Sequence, residues 1–351
     1  VGLVCGDPAE PVTSVLCCVD VTEAVVDLAV AGKVDLIVAH HPLLLRGVDT
    51  VGTHTAKGRL VHRLIRSGCA LYTAHTNADS AFPGVSDALA GALGLTGLRP
   101  LEPKPGVAMD KWSVFVPTAD ASAVREAMFA AGAGEIGDYS HCCWSTSGTG
   151  QFLPGAAAKP AVGSPGELTT VPEDRVEMVA DAAIRGQVLA ALRAAHPYEE
   201  PAFDLIELIP ANSGEGLGRI GELAAPMTLR TFTKLVADAL PLSVPGVRAA
   251  GDLEHPIRTV AVCGGAGDSL LATARAAGAD VYVTGDLRHH PVDEHLRDGG
   301  PALIDAGHWS TEFPWCEQVV ELIATELPGL SASVFANPTD PWTIHRGGLG
   351  G

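Results

Sequence analysis

The chain is poor in positive charge. Lys and Arg total 23 against 41 Asp and Glu, giving a formal charge of −18 over 351 residues. A surface of that sign cannot neutralise a polyanion, so no nucleic-acid partner is expected. A small phosphorylated ligand held through a metal remains compatible with it. Long apolar runs are also missing. No stretch reaches the roughly 18 uninterrupted apolar residues of a membrane-spanning helix, so no membrane partner is expected. No basic-then-apolar leader opens the chain. It begins at Val1 without Met, and a short preceding piece is therefore expected. Cysteine is sparse: eight residues, no CxxC, and two adjacent pairs, Cys17–Cys18 and Cys142–Cys143. This spacing excludes a disulfide scaffold, a zinc ribbon and a redox dithiol. Buried, reduced thiols in a cytoplasmic protein are the expectation.

What is present suffices for a large core. Hydrophobic residues make up 47% of the chain, and at about 100–200 residues per domain the length predicts two or three domains. The first hundred residues alternate strand and helix. Ser14–Val19 and Val34–Ala39 read as strands, the second a continuous apolar run suited to a parallel strand covered on both faces. Thr22–Ala31 reads as a helix ending at Gly32, Gly58–Ser67 as one ending at Gly68, Ala70–Ala74 as a strand and Pro83–Leu93 as a helix. Leu101–Gly106, rich in Pro and charge, and the Gly-rich Asn212–Gly218 read as linkers. Between them, strands at Trp112–Pro117, Arg175–Ala180 and Ala202–Leu208 and helices at Ala121–Ala131 and Arg185–Ala195 give β-α-β-β-α-β. One strand is hidden near residues 139–145, and His141–Pro165 is otherwise read as loop. That order is ferredoxin-like.

From Gly221 the α/β pattern returns. Helices are expected at Leu229–Leu240, Ser269–Ala277, Asp293–Asp298 and Ser310–Glu326, and strands at Thr259–Cys263, Asp280–Thr284 and Ala302–Asp305. The expected fold class is therefore α/β: a pseudo-symmetric two-part domain (residues 1–106 and 213–351) with an inserted ferredoxin-like α+β domain (107–212).

The outer parts echo each other. Asp35–Ala39, then His40-His41-Pro42, a helix and Ala70–His75 are matched by Asp280–Thr284, His289-His290-Pro291, a helix and Ala302–His308. Both end in a histidine followed four residues later by an acid, His75/Asp79 and His308/Glu312. A duplicated half explains this order, with the polar strand ends of both parts converging on one cleft.

The histidines and acids lie just after apolar strands, where open α/β sheets place ligands. Adjacent His40 and His41, at a strand end before Pro42, can straddle a site and serve two ions of a close pair. Imidazole with carboxylate suits Zn, Fe, Mn, Co or Ni better than Ca or Mg. Asp79 and Glu312 are the best-placed carboxylates to offset two cations. Glu312 also reads as a first-turn acid favoured by the helix dipole, with Ser310 as cap. His75 either closes a strand and positions Asp79, or carries protons near the metals. Asp286 is a turn-former or a cleft-lining acid. His289, His290 and His295 read as surface or supporting residues, and His54, His62, His141, His255 and His345 as ordinary ones. Gly264–Ser269 is a tight strand-to-helix turn or a phosphate contact. His196–Pro201, with one His and two acids, either recruits metal or is structural or part of a subunit contact.

Taken together, Ala39–Pro42, His75–Asp79, Gly264–Ser269, Thr284–Asp286, Asp305–His308 with Glu312 and the inserted His196–Pro201 resemble the dinuclear metal-centre family homologous to NGG-one-interacting factor three. That family is often labelled type 2 GTP cyclohydrolase I. The resemblance spans nearly the whole chain in the right order. It implies five metal ligands, His40, His41, Asp79, His308 and Glu312, with Glu312 contacting both of two divalent ions. It further implies a PII-like insert and a toroidal homohexamer with its metal sites facing an interior cavity. The function it implies is a metal-dependent hydrolase of a nucleotide-type small molecule. With GTP, water would open the purine imidazole ring at C8 and formate would leave, with His75 the first candidate for proton transfer. Phosphoester hydrolysis uses the same metal pair. The alternative is a non-enzymatic protein for metal storage or delivery, or a regulatory assembly.

Overall fold

The computed structural model describes residues 1–210 and 212–346, with only the backbone of Asn212. Residue 211 of the expected insert and residues 347–351 of the expected second part lie outside the described residues. The chain divides into two compact units, one made of Val1–Lys104 with the described residues from Gly214 onward, the other of Pro105–Ser213.

The first unit holds two sheets. Its early strands are β1 (Gly2–Cys5), β2 (Ser14–Cys18), β3 (Leu36–Ala39) and β4 (Ala70–Thr73), with helices α1 (Glu23–Gly32), α2 (Ala56–Ser67), α3 (Thr76–Ser80) and α4 (Val85–Ala92) between or after them. Strand β5 (Thr96–Pro105) leads to the second unit. That unit contains β6 (Met109–Pro117), α5 (Ala121–Ala130), β7 (Trp144–Phe152), β8 (Thr169–Asp181), α6 (Arg185–Ala195) and β9 (Ala202–Glu207). The chain returns along β10 (Asn212–Thr228) and continues through α7 (Leu229–Ala239), β11 (Arg248–Ala250), β12 (Pro256–Ala266), α8 (Leu271–Ala276) and β13 (Val281–Gly285). It ends with α9 (His289–Arg297), β14 (Ala302–Asp305), α10 (His308–Glu326) and β15 (Ser331–Val334).

The first sheet has the order β1-β4-β3-β2-β15 and the second β11-β14-β13-β12-β10-β5. In each, three parallel strands run in the same order and an antiparallel edge strand flanks the last of them. The hydrogen bonding repeats as well. The Asp35 carboxylate accepts the backbone N–H groups of Thr13 and Ser14, and that of Asp280 accepts those of Arg258 and Thr259. This matched register is the structural form of the echo in the sequence.

Continuous apolar runs are explained by burial on both faces. Leu16, Cys18, Ile37 and Leu71 pack under α1 and α2, while Val15, Cys17 and Val19 meet Trp309, Phe313 and Cys316 of α10. In the second sheet Val260, Val262, Val281 and Ile304 pack with α4 and α7, and Ala261, Tyr282 and Leu303 with α8. Helix α10 packs on β2 of the first sheet, on β12 and β13 of the second, and on α4. Its N-terminus therefore lies among strand ends of both sheets.

The second unit is a four-stranded antiparallel sheet, β7-β8-β6-β9. Relative to the chain order of its strands this is 2-3-1-4, the ferredoxin-like arrangement. Its core joins Trp112, Val114, Val176 and Met178 to Val124 and Met128 of α5 and to Val188 and Leu192 of α6.

Several expectations are corrected. Leu101–Gly106 and Asn212–Gly218 are not linkers but belong largely to β5 and β10. Pro100, Pro103 and Pro105 are tolerated because β5 is an edge strand. Much of His141–Pro165 is strand β7. Helix α1 ends with Lys33, not Gly32, in the left-handed conformation. Helix α9 begins four residues before the expected Asp293, and the short α3 was not anticipated. Helix α10 is capped by Gly307, so Ser310 is not its cap. The cysteines are all free, yet Cys143 is exposed.

Candidate metal centre

The chain builds the centre from the ends of β3 and β4 and the starts of α3 and α10 within the first unit. His40 and His41 follow β3, His75 follows β4 and caps α3, Asp79 lies in α3, and His308 and Glu312 share one face of the first turns of α10. Thr311 ties the far side of that turn. Its hydroxyl donates to the Gly307 and His308 carbonyls and accepts the N–H of Gly265.

Glu312 is the focus. It is 3% exposed. Its Oε1 lies 3.4 Å from His40 Nε2 and 3.1 Å from His308 Nε2, and its Oε2 lies 3.1 Å from His41 Nε2. Asp79 Oδ1 is 3.5 Å from His40 Nε2. The His75 ring stands 5.2 Å from that of His40 and 5.7 Å from that of His41.

Each of three imidazoles is oriented through its other nitrogen. His40 Nδ1 donates to the Ala74 carbonyl (2.9 Å), His41 Nδ1 to Asp20 (2.7 Å) and His308 Nδ1 to Asp286 (2.7 Å). Such bonds fix the tautomer and leave Nε2 as a lone pair. His41 Nε2 and His308 Nε2 then lie 3.2 Å apart, both against one carboxylate. Lone pairs so arranged repel unless a proton or a cation sits among them. His40 Nε2 and Glu312 Oε2 are buried without a hydrogen bond, which costs free energy when nothing satisfies them. This donor set, three imidazoles and two carboxylates with orphaned ligand atoms, fits a transition-metal or zinc site. His40, His41 and His75 form one group able to hold an ion, and His41, His308 and Glu312 another.

The electrostatics agree with a cation-seeking anion. Burial works to raise the pKa of Glu312, but the surrounding imidazoles of His308, His40 and His41 outweigh it and hold the carboxyl well below its usual range. Burial opposes charge on His41 and His308 too. The Asp20 and Glu312 partners nonetheless lift His41 to about 10, and Glu312 with Asp286 lifts His308 to about 9. Burial pushes Asp79 up to about 6. His75 is lowered by burial and by the adjacent imidazoles of His40 and His41.

The glycine turn has a steric purpose. Gly265 has φ +67°, and a Cβ there would stand 2.3 Å from Glu312 Oε1. Thr284 Oγ1 donates to its carbonyl, so the backbone is pinned over the carboxylate. Its N–H is already used by Thr311, which argues against the phosphate-contact reading.

The echo breaks at the histidine pair. Val281 pairs with Ala302 as Leu36 does with Ala70, so in register His41 is matched by Asp286 and not by His290. His289 and His290 lie at the start of α9 and His295 donates to Pro301. None of the three joins the centre. His196 uses both ring nitrogens internally, donating to the Phe115 carbonyl and accepting the N–H of Tyr198. Asp305 accepts N–H groups of Gly307 and Leu287. Two contributors were missed in the sequence. Asp20 lies just after β2, a position that marks the ligand end of the sheet. The segment Asp340–His345 lines a cleft of about 620 Å³ that reaches His41 and His308.

The chain is 59% identical over 348 residues to a Mycobacterium tuberculosis protein named GTP cyclohydrolase 1 type 2 homolog, covering 99% of this chain and 91% of that one. A Bacillus subtilis protein of the same name is 41% identical over 347 residues, covering 98% and 92%. Among solved structures, a Bacillus cereus protein related to NIF3 superposes with a TM-score of 0.69 at 38% identity, covering 98% and 93%. A Staphylococcus aureus protein does so at 0.81 and 27%, covering 98% and 92%. Residues 1–341 match the Duf34/NIF3 (NGG1p interacting factor 3) family, and the chain belongs to that family.

Proposed function

We propose that the protein is a dinuclear-metal-dependent hydrolase of nucleotide-type substrates. Its ligands to two divalent ions (Zn, Fe, Mn, Co or Ni) are His40, His41, Asp79, His308 and Glu312. The observation that carries this reading is the buried Glu312 carboxylate, met by three Nε2 atoms whose Nδ1 partners leave them as lone pairs. Two ions held by these residues would supply an acidified water and polarise the bond under attack. The chain does the rest. Asp20, Asp286 and the Ala74 carbonyl hold the imidazoles in one tautomer. Gly265 keeps the space over Glu312 free of side chain. His75, kept neutral by burial and by its neighbouring imidazoles, is the group that moves a proton.

The name carried by the relatives, GTP cyclohydrolase 1 type 2 homolog, favours ring opening of a purine nucleotide; phosphoester cleavage is the rival reaction. The test is turnover by metal-reconstituted protein supplied with GTP and a panel of phosphoesters, with products identified by mass. Formate or phosphate release that disappears in Asp79→Ala, with the variant still folded, is the expected result. No turnover with two ions bound per chain would remove the hydrolase reading and leave metal storage, delivery or regulation. The same proposal includes a cytoplasmic location, consistent with eight free thiols. It also includes a PII-like identity for the unit spanning about residues 107–212, supported by its strand order, and assembly as a homohexamer, which sedimentation analysis would read as six chains per particle.

A further inference from the structure

The cleft of about 620 Å³ beside His41 and His308 has the volume of a small-molecule site. Its walls have a definite chemistry. Trp342 and Ile344 contribute apolar surface that is 65% and 72% exposed. Arg248 is the one Lys or Arg among the lining residues, and its guanidinium is already held by Asp305 Oδ2 at 2.7 Å and by the Leu287 carbonyl at 2.8 Å. Asp286 and Asp340 line the cleft as well. Each spends one carboxylate oxygen, Asp286 Oδ2 on His308 and Asp340 Oδ1 on the Trp342 N–H. The other oxygen of each accepts no hydrogen bond among the described residues. The cleft therefore offers an indole face and spare anionic acceptors, and its one Arg already pairs with Asp305.

Resting on the hydrolase reading above, we infer that this cleft receives the nitrogen heterocycle of the substrate, a flat purine-like ring bearing N–H donors. The ring stacks on Trp342 and donates to carboxylate oxygens, so that the base is presented to the metal centre. Phosphoryl groups are directed to solvent, because the heterocycle takes the metal end of the cleft and the walls beyond it carry Asp286 and Asp340, with Arg248 already paired to Asp305. Among the reactions open to the centre, this favours ring opening over phosphoester cleavage.

The test is calorimetric titration of the metal-loaded full chain with guanosine, GMP, GTP and inosine, with metal content assayed after each run. Guanosine is expected to bind at least tenfold more tightly than GTP at low salt, with GMP between them and the gap narrowing as salt rises. Inosine lacks the exocyclic amino donor and should bind at least fivefold more weakly than guanosine. Trp342→Ala should cost guanosine tenfold or more, and Asp340→Asn should narrow the gap between guanosine and GTP. Affinity that rises with each added phosphate overturns the inference. So does guanosine binding unmoved by Trp342→Ala, or no guanosine binding with both ions present. Binding is read as heat, so the two readings fail separately. A protein that binds guanosine but turns nothing over loses only the hydrolase reading. One that cleaves phosphoesters and ignores guanosine loses only this inference.

Discussion

A carboxylate as enclosed as that of Glu312 stays ionised only because three imidazoles meet it, and those imidazoles point correctly only because their Nδ1 atoms are held. Asp20→Asn keeps the size of the partner but removes the anion that fixes His41. Metal affinity should fall about 10–100-fold, as for other partners of metal-bound histidines, in competition with a chromogenic chelator. Gly265→Ala adds a methyl 2.3 Å from Glu312 Oε1 at a backbone φ of +67°. It should reduce bound metal below one ion per chain, measured by elemental analysis of protein that still shows the parent circular dichroism. The five ligand candidates were legible because each follows an apolar strand and pairs with another at informative spacing. Asp20 was not, because it has no histidine near it in sequence. Its partner is 21 residues away, across the neighbouring strand.

At the level of elements, legibility follows burial. Strands β2, β3, β13 and β14 are covered on both faces and read as unbroken apolar runs. Strand β7, exposed at nearly every position, carries no such signal, and its Ser, Thr and Gly read as loop. Strands β5 and β10 are rich in Pro, Gly and charge, and pairing within the second sheet, not local preference, makes them strands. The turn before β3 also has a measurable pH dependence. Four hydrogen bonds from Thr13 and Ser14 hold the Asp35 carboxyl down at about 2. A folded pKa below the unfolded one gives stability that is complete above the usual carboxylate range and lost as pH falls toward 2. Asp35→Asn should therefore melt lower than the parent at pH 6, with the difference shrinking as pH drops from about 4 to 2. Calorimetric melting across that range checks the sign.

At the scale of the whole molecule, a buried ion pair joins what lies before the insert to what lies after it. Arg219, on β10, is 1% exposed and bonds Asp87 of α4 as well as the carbonyls of Ala81, Gly216 and Gly218. Arg219→Met would strand the Asp87 carboxylate in the interior, at a cost of about 3–5 kcal/mol, read from urea unfolding. Asp87→Asn in the same background should recover part of that loss. The proposed metal ligands divide in the same way, with His40, His41 and Asp79 before the insert and His308 and Glu312 after it. The duplicated order of strands made this division visible in the sequence. What it did not reveal was that the halves form two separate sheets, since strand pairing across hundreds of residues leaves no local trace.

Strand β15 pairs in parallel with β2, placing Ser331 opposite Ser14 and Val334 opposite Cys17. During synthesis the first sheet must therefore wait for a strand made about 300 residues later. Its β2 edge stands open while roughly 300 further residues are translated, on the order of 15–60 s at bacterial elongation rates. A strand made late closes the first sheet begun, so a ribosome stalled before β15 would display an apolar edge that the folded protein covers.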